Sequence, residues 1–181
     1  MNQILLVLLI ALSVTTSAQN KDYLVSMDGI GAIKIRMSQE ELEKLLKQKF
    51  ILRNALDTAD SYQDTATAKY KNTNVQLFFQ RQYTGDNVYF MYLIGLKTSS
   101  PLCKTEKGVG IGSDKLKIIL AYEASTISIG PEYEGEDFSI KSKTKYLMDV
   151  RSDDGARKLV FYLRNKKVVA VEVGTVFSDS E

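Results

Sequence analysis

Two residues of the 181-residue chain have the types and spacing of a catalytic pair. Ser142 and Lys145 form an S-x-x-K motif, in which the lysine could take the proton of a serine nucleophile. The S-D-N and K-T-G motifs that accompany this pair in serine enzymes are both absent from the sequence. The favoured interpretation is therefore a polar loop or the beginning of a strand.

Glycines and acidic residues form two further segments that could bind ligands. Gly108, Gly110 and Gly112 precede a predicted helix, but the glycine spacings of phosphate-binding loops are missing, which favours a tight strand-to-helix turn. The acidic stretch over 132–137 could offer oxygen ligands to calcium, although its spacing does not match an EF-hand loop. A solvated loop is favoured there, and calcium binding stays open; its acidic residues are Glu132, Glu134, Glu136 and Asp137.

The composition excludes several classes of site. Histidine is absent, so the commonest general base and transition-metal ligand are missing. The single cysteine, Cys103, allows no intramolecular disulfide and is expected to be a buried apolar residue. The net charge of +2 gives no strong attraction to nucleic acid. We therefore expect no cofactor, no metal, no nucleic-acid partner and no enzymatic activity.

The first 18 residues resemble an export signal. An apolar run from Ile4 to Val14 has the length of a signal-peptide core and is too short to cross a bilayer as a helix. Small residues follow it, and cleavage after Ala18 would leave Gln19 as the new N-terminus. We expect an exported protein, periplasmic or extracellular, with no stable membrane insertion after cleavage.

The remaining chain has one order of features that occurs twice, offset by 76 residues. Ser38 and Glu41 form a capping box at the start of one predicted helix, and Ser113 or Asp114 can cap the other. Alternating apolar residues precede each helix. The helical faces have equivalent spacing, with Leu42, Leu45 and Leu46 in the first and Ile118, Ala121 and Tyr122 in the second.

A polar segment and then strands follow each predicted helix. In the first half the polar stretch covers 57–73, and the strands cover 74–83 and 87–97, joined by a hairpin turn at 84–86. In the second half a loop covers 129–137, and the strands cover 145–150, 157–164 and 167–176.

These patterns predict an α+β fold of two tandem small units, each a short helix packed on an antiparallel sheet. The first unit would span 19–98 and the second 99–181, after the signal peptide at 1–18. A single α+β domain without a repeat is the alternative.

Three stretches resemble SmpA/OmlA-type and beta-lactamase-inhibitor-protein-like modules. Gly31–Leu46 (G-x-I-K-I-x-M-S-x-E-E-L-x-x-L-L) and Gly108–Tyr122 resemble the opening of such modules, and Leu159–Val173 is similar to their final hairpin. The resemblance implies exported α+β units, some in tandem, that bind other proteins through a sheet face. Arg36 stands where a glycine is usual, and no lipid-bearing cysteine follows the signal, so a role in outer-membrane assembly is not implied.

Aromatic and charged side chains on the second face of the strands form the candidate binding site, because tyrosine and arginine are favoured at protein interfaces. Other aromatic residues lie in phase with aliphatic ones and are expected in the core, namely Tyr83, Phe90, Tyr92 and Phe161. The candidate binding residues are Phe78, Tyr89, Arg151, Tyr162, Arg164 and Glu172.

The sequence thus predicts a non-catalytic protein that recognises an unidentified protein partner through a sheet face or the cleft between its units. One alternative is a binder of a small apolar ligand or lipid, which would require an apolar pocket of several hundred cubic ångströms. Another is a histidine-free hydrolase, which would require two carboxylates about 5 to 9 Å apart in a cleft.

Overall fold

The computed structural model describes residues 20–52, 63–83, 89–135 and 139–176. The predicted signal peptide, the hairpin turn at 84–86 and the acidic residues Glu136 and Asp137 lie outside these ranges. Within them the fold is α+β, as the sequence predicts. No helix in these ranges is long and apolar enough to cross a membrane.

Short strands and two short helices alternate along the chain, after a 3-10 turn at Lys21–Tyr23. The helices are α1 (Gln39–Leu46) and α2 (Lys115–Ala121). The strands are β1 (Leu24–Ser26), β2 (Gly29–Ile30), β3 (Ile33–Lys34), β4 (Gln63–Tyr70), β5 (Thr73–Tyr83), β6 (Tyr89–Thr98), β7 (Lys104–Thr105), β8 (Ile127–Glu134), β9 (Ile140–Arg151), β10 (Arg157–Arg164) and β11 (Lys167–Thr175).

Seven strands form one antiparallel sheet in the order β4-β5-β6-β11-β10-β9-β8. The last strands of the two predicted halves, β6 and β11, meet at its centre, where Leu96 lies opposite Val173. The strands of both halves therefore share one continuous sheet. A smaller sheet of order β3-β2-β1-β7 and the two helices cover one face of it and enclose the core.

Two segments predicted as polar loops are strands at the edges of the large sheet. The stretch 57–73 contains β4, in which Ala68 and Tyr70 are buried. The stretch 129–137 contains most of β8, in spite of Pro131. Both segments lack a run of large aliphatic residues, and pairing with β5 and β9 defines them as strands.

A β-bulge in β6 changes which residues of that strand reach the core. Phe78 lies opposite Gly95 and Phe79 lies opposite Leu93, so Ile94 is the extra residue. The alternation that predicts Phe90 and Tyr92 in the core therefore fails. Phe90 is 39% exposed and Tyr92 is half-buried, and the side chain of Tyr83 lies outside the described part of the chain. Phe161 is fully buried, as predicted.

The backbone just before each helix pairs with one of the two central strands. Leu93 of β6 accepts a hydrogen bond from the amide of Arg36 and donates one to the carbonyl of Met37, both at 2.8 Å. Val168 of β11 makes the same two bonds, both 2.9 Å long, with Gly112 and Ser113.

The similarity extends to the local backbone around these bonds. Val168 precedes the extra residue of a second bulge, Val169, just as Leu93 precedes Ile94. Arg36 and Gly112, 76 residues apart, both have positive φ, at 73° and 86°. A left-handed turn thus leads into each helix, and only the second has the glycine that relieves its steric cost.

Both helices begin at the predicted caps. Ser38 Oγ accepts a bond from the Glu41 amide at 3.2 Å, and the Glu41 carboxylate accepts one from the Ser38 amide at 2.7 Å. Asp114 caps α2 through the Lys117 amide at 2.8 Å. On the inner faces, Leu42 and Ile118 are fully buried. The exposure of Leu45, at 38%, shows that the predicted apolar face of α1 is only partly covered.

Candidate functional site: the open face of the large sheet

The face of the large sheet opposite the helices, here called the open face, carries most of the predicted binding residues. Successive side chains of a strand point to opposite faces, so Tyr162 points away from its buried neighbours Phe161 and Leu163. At the centre of this face lies a groove of about 470 Å³, the open-face groove. Its side chains include Phe78, Lys97, Lys158, Tyr162 and Glu172.

Two glycines create the depression beneath these side chains. Gly95 of β6 lies opposite Gly174 of β11, so the centre of the open face has no side chains at this pair. Phe78 occupies part of the space, because a Cβ at Gly95 would lie 3.2 Å from its ring. A larger residue at Gly95 would therefore displace the aromatic wall of the groove.

Tyr162 is held in place by two charged neighbours on adjacent strands. Its hydroxyl donates a 2.6 Å hydrogen bond to Glu172 Oε2. Lys97 Nζ lies 3.2 Å from the centroid of the Tyr162 ring, a cation–π contact. These three side chains form the Tyr162 cluster, which fixes the ring orientation before any ligand arrives.

The surroundings keep the Tyr162 hydroxyl protonated. Burial raises the pKa of Tyr162, and the hydrogen bond to Glu172 raises it further, as do the charges of Glu132 and Asp149. Burial also lowers the pKa of Lys97, while Glu172 and Glu132 oppose that shift. The cluster therefore presents a phenol that donates to its own carboxylate and keeps its oxygen lone pairs available to a partner.

The structure brings together three of the six predicted binding residues, Phe78, Tyr162 and Glu172. Arg164 is exposed on the same face, two residues from Tyr162 near the β10–β11 turn. Arg151 is also exposed on this face, opposite Lys158 at the other end of β10. Neither arginine lines the groove.

Tyr89 begins β6 opposite Tyr83, and its side chain lies outside the described part of the structure. Sequence reasoning missed Lys97 and the glycine pair. Lys97 has a signal, because it ends a strand-like run on the phase opposite the aliphatic residues. Gly174 does not, because its role depends on the pairing of β11 with a strand about 80 residues earlier in the chain.

The motifs that could do chemistry are occupied by local structure. Ser142 Oγ accepts a 3.1 Å bond from the Lys145 amide. The Lys145 amine lies 3.0 Å from the Glu134 carboxylate, and bonds from Lys145 and Ser142 lower the pKa of Glu134. The S-x-x-K motif thus stabilises the β8–β9 pair.

The glycine-rich segment forms the expected strand-to-helix turn. Gly108 has a φ of 70°, and a Cβ at Gly110 would lie 2.6 Å from the Cys103 carbonyl oxygen. Cys103 is a buried free thiol, as predicted. Among the described residues, no group of three or more acidic or cysteine side chains could hold a metal ion.

Comparison with known proteins finds no matching family model, no similar curated protein and no similar solved structure.

Proposed function

We propose that this chain is an exported, non-catalytic binding protein that recognises a protein partner through the open face of its large sheet. The observation that carries the proposal is the Tyr162 cluster, a half-buried aromatic ring held between Glu172 and Lys97 beside a groove. Tyrosine is enriched at binding hot spots because it buries a large area and keeps a polar handle.

Preorganisation supports binding at this position. The hydrogen bond to Glu172 and the Lys97 ammonium already restrict the Tyr162 ring, so a partner would lose little rotamer entropy in contacting it. Arg151 and Arg164, exposed at the two ends of β10, would extend the contact surface along the strand. Together these features fit a polar-rimmed interface around an aromatic centre.

We also propose that the fold is a tandem of two related units, 19–98 and 99–181, joined at β6 and β11. The repeated hydrogen-bond pattern at Leu93 and Val168, the matching bulges and the paired positive-φ residues support a duplication. The resemblance to SmpA/OmlA-type and beta-lactamase-inhibitor-protein-like modules supports a role in protein binding.

Export rests on the apolar run in the first 18 residues. Intact-mass measurement of the protein secreted or released from the periplasm tests it, with cleavage after Ala18 as the expected result. Recovery of the full-length chain from the cytoplasm would contradict it.

The binding proposal is tested by substituting Tyr162→Ala and Arg164→Ala together. The control variant carries Leu116→Ala and Leu120→Ala, two residues that are each 61% exposed on α2, away from the open face. We expect the wild-type chain and the control to capture the same protein from an envelope fraction and to bind it equally after purification. The open-face variant should bind it at least about tenfold more weakly, as for a hot-spot tyrosine.

Circular dichroism must show that both variants are folded. Equal binding of the purified partner by the folded open-face variant would contradict the proposal. A partner that is lost only with the α2 variant would place the interface on the helix side instead.

A further inference from the structure

A second pocket, of about 380 Å³, opens on the helix side of the large sheet and is here called the helix-side pocket. Its walls are apolar side chains of three neighbouring strands, Ile129 of β8, Tyr146 and Met148 of β9, and Leu163 of β10. The volume lies in the range of small-molecule sites, about 300 to 1,000 Å³. The open-face groove lies on the opposite side of the same strands.

The pocket exists because α2 is short and leaves the outer strands uncovered. Ile129 points to the core side, opposite the fully buried Met148, yet it is 43% exposed. An isoleucine in this position normally lies under a helix or loop. The outer end of the core is therefore open to a ligand.

Three lysines surround the apolar walls. Lys115 precedes the first turn of α2, Lys143 lies in β9 and Lys166 lies in the β10–β11 turn, and all three line the pocket. None of the three forms an ion pair with a carboxylate of the described residues, whereas the nearby Lys145 and Lys167 pair with Glu134 and Asp114. The pocket thus combines an apolar floor with unneutralised positive charge.

We propose that the helix-side pocket binds a single-chain amphipathic anion, specifically a fatty-acid carboxylate. The alkyl chain would lie against Ile129, Met148 and Leu163, and the carboxylate would lie among the lysine ammonium groups. An alkyl chain alone would leave the three charges without a counterion, and a small anion alone would leave the apolar walls in water. This site is independent of the proposed interface on the open face.

Titration of the purified full chain with laurate, kept below its micelle concentration, tests the proposal. We expect saturable binding to one site, with 1-dodecanol bound at least about tenfold more weakly because it lacks the charge that three lysines attract. Acetate should not bind measurably. Equal binding of laurate and 1-dodecanol, or no saturable laurate binding, would overturn the proposal.

Two matched triple variants locate the site. Lys115→Ala, Lys143→Ala and Lys166→Ala together should weaken laurate binding about tenfold. The control removes the same charge from exposed positions outside the pocket, Lys34→Ala, Lys44→Ala and Lys141→Ala, and should bind like the wild type. Equal weakening in both variants would show a nonspecific charge effect and would refute the site.

Substitution in the apolar wall separates this proposal from two others. Ile129→Glu should abolish laurate binding while leaving capture of a protein partner by Tyr162 and its neighbours intact. Saturable binding of a soluble polyglutamate peptide with no binding of laurate would assign the lysines to an acidic protein and would overturn the fatty-acid proposal.

Discussion

The two edges of the large sheet differ on the helix side, although the chain enters both helices in the same way. After α1 the chain continues across the sheet, and Phe50 packs on Phe79 with their ring centroids 5.8 Å apart. After α2 the chain turns at Tyr122 and passes directly into β8, which leaves Ile129 exposed. The β4 edge is thus closed, and the β8 edge is open at the helix-side pocket.

One carboxylate explains much of this difference. Glu43 of α1 accepts hydrogen bonds from the Phe50 amide at 3.0 Å, from Gln39 Nε2 at 2.9 Å and from Lys49 Nζ at 2.6 Å. The residue at the equivalent distance along the second half is Ile119, which cannot accept such bonds. A short polar anchor after the helix therefore decides whether the edge of the core is covered or left as a pocket.

The largest expected effect comes from removing the cover of the closed edge. Phe50→Ala should lower the free energy of unfolding by about 3 kcal/mol, because it leaves a cavity over Phe79. Ile129→Ala, at the open edge, should cost about 1 kcal/mol or less because its side chain is already partly in water. Urea unfolding of both variants measures the difference, and equal losses would contradict the contrast between the edges.

The sequence predicts the features of this comparison that are local. The capping box at Ser38, the cap at Asp114 and the alternation of Val75, Leu77 and Phe79 follow from spacing alone, and the structure contains all of them. These features depend on neighbours a few residues away, so a pattern in the chain is sufficient to find them.

The sequence does not predict features that depend on distant strands. The bulge at Ile94 and the pairing of β6 with β11 have no local signature, so the burial of Phe90 and the groove at Gly174 were beyond its reach. Of the candidate site, the face was predicted through Phe78, Tyr162 and Glu172. The groove geometry was not, because it results from two glycines that meet only in the folded sheet.

The second effect concerns the anchor itself. The bonds from Lys49, the Phe50 amide and Gln39 lower the pKa of Glu43 from 4.5 to about 2. A lowered pKa in the folded state means that the contribution of Glu43 to stability is present above pH 4.5 and is lost as the pH falls toward 2. Glu43→Gln should therefore be less stable than the wild type at pH 7.

The difference between these two proteins should narrow between pH 4.5 and 2, and thermal unfolding across that interval measures it. The matched control is Glu40→Gln in the same helix, whose carboxylate is exposed. A constant gap between Glu43→Gln and the wild type at all pH values would show that the carboxylate charge is not what anchors the segment.

A smaller effect tests the part of the comparison in which the two halves agree. Gly112→Ala should destabilise the fold by about 1 kcal/mol, because φ is 86° there although no atom lies within 4 Å of the added Cβ. Arg36→Gly should stabilise it by up to about 1 kcal/mol, since φ is 73° at that residue. Chemical denaturation of the pair checks the signs, and opposite signs are required if the two turns are equivalent.

The smallest effect on stability is expected at the exposed strand of the closed edge. The Gln48 side chain donates a 3.0 Å bond to the Thr67 carbonyl and accepts a 3.3 Å bond from the Lys69 amide. These are outward-facing groups of β4, and an unpaired strand edge can pair with a second molecule. Gln48→Ala should therefore cost only about 1 kcal/mol but promote self-association.

Light scattering over a range of protein concentrations measures that association, with Gln82→Ala on the neighbouring strand β5 as the exposed control. If Gln48 protects the edge, only its variant should form larger species, and added salt should not disperse them because backbone hydrogen bonds hold them together. A Gln48→Ala protein that stays monomeric at the highest concentration would mean that the chain after α1 closes the apolar core without guarding the strand beside it, and the difference between the two edges would then be one of packing alone.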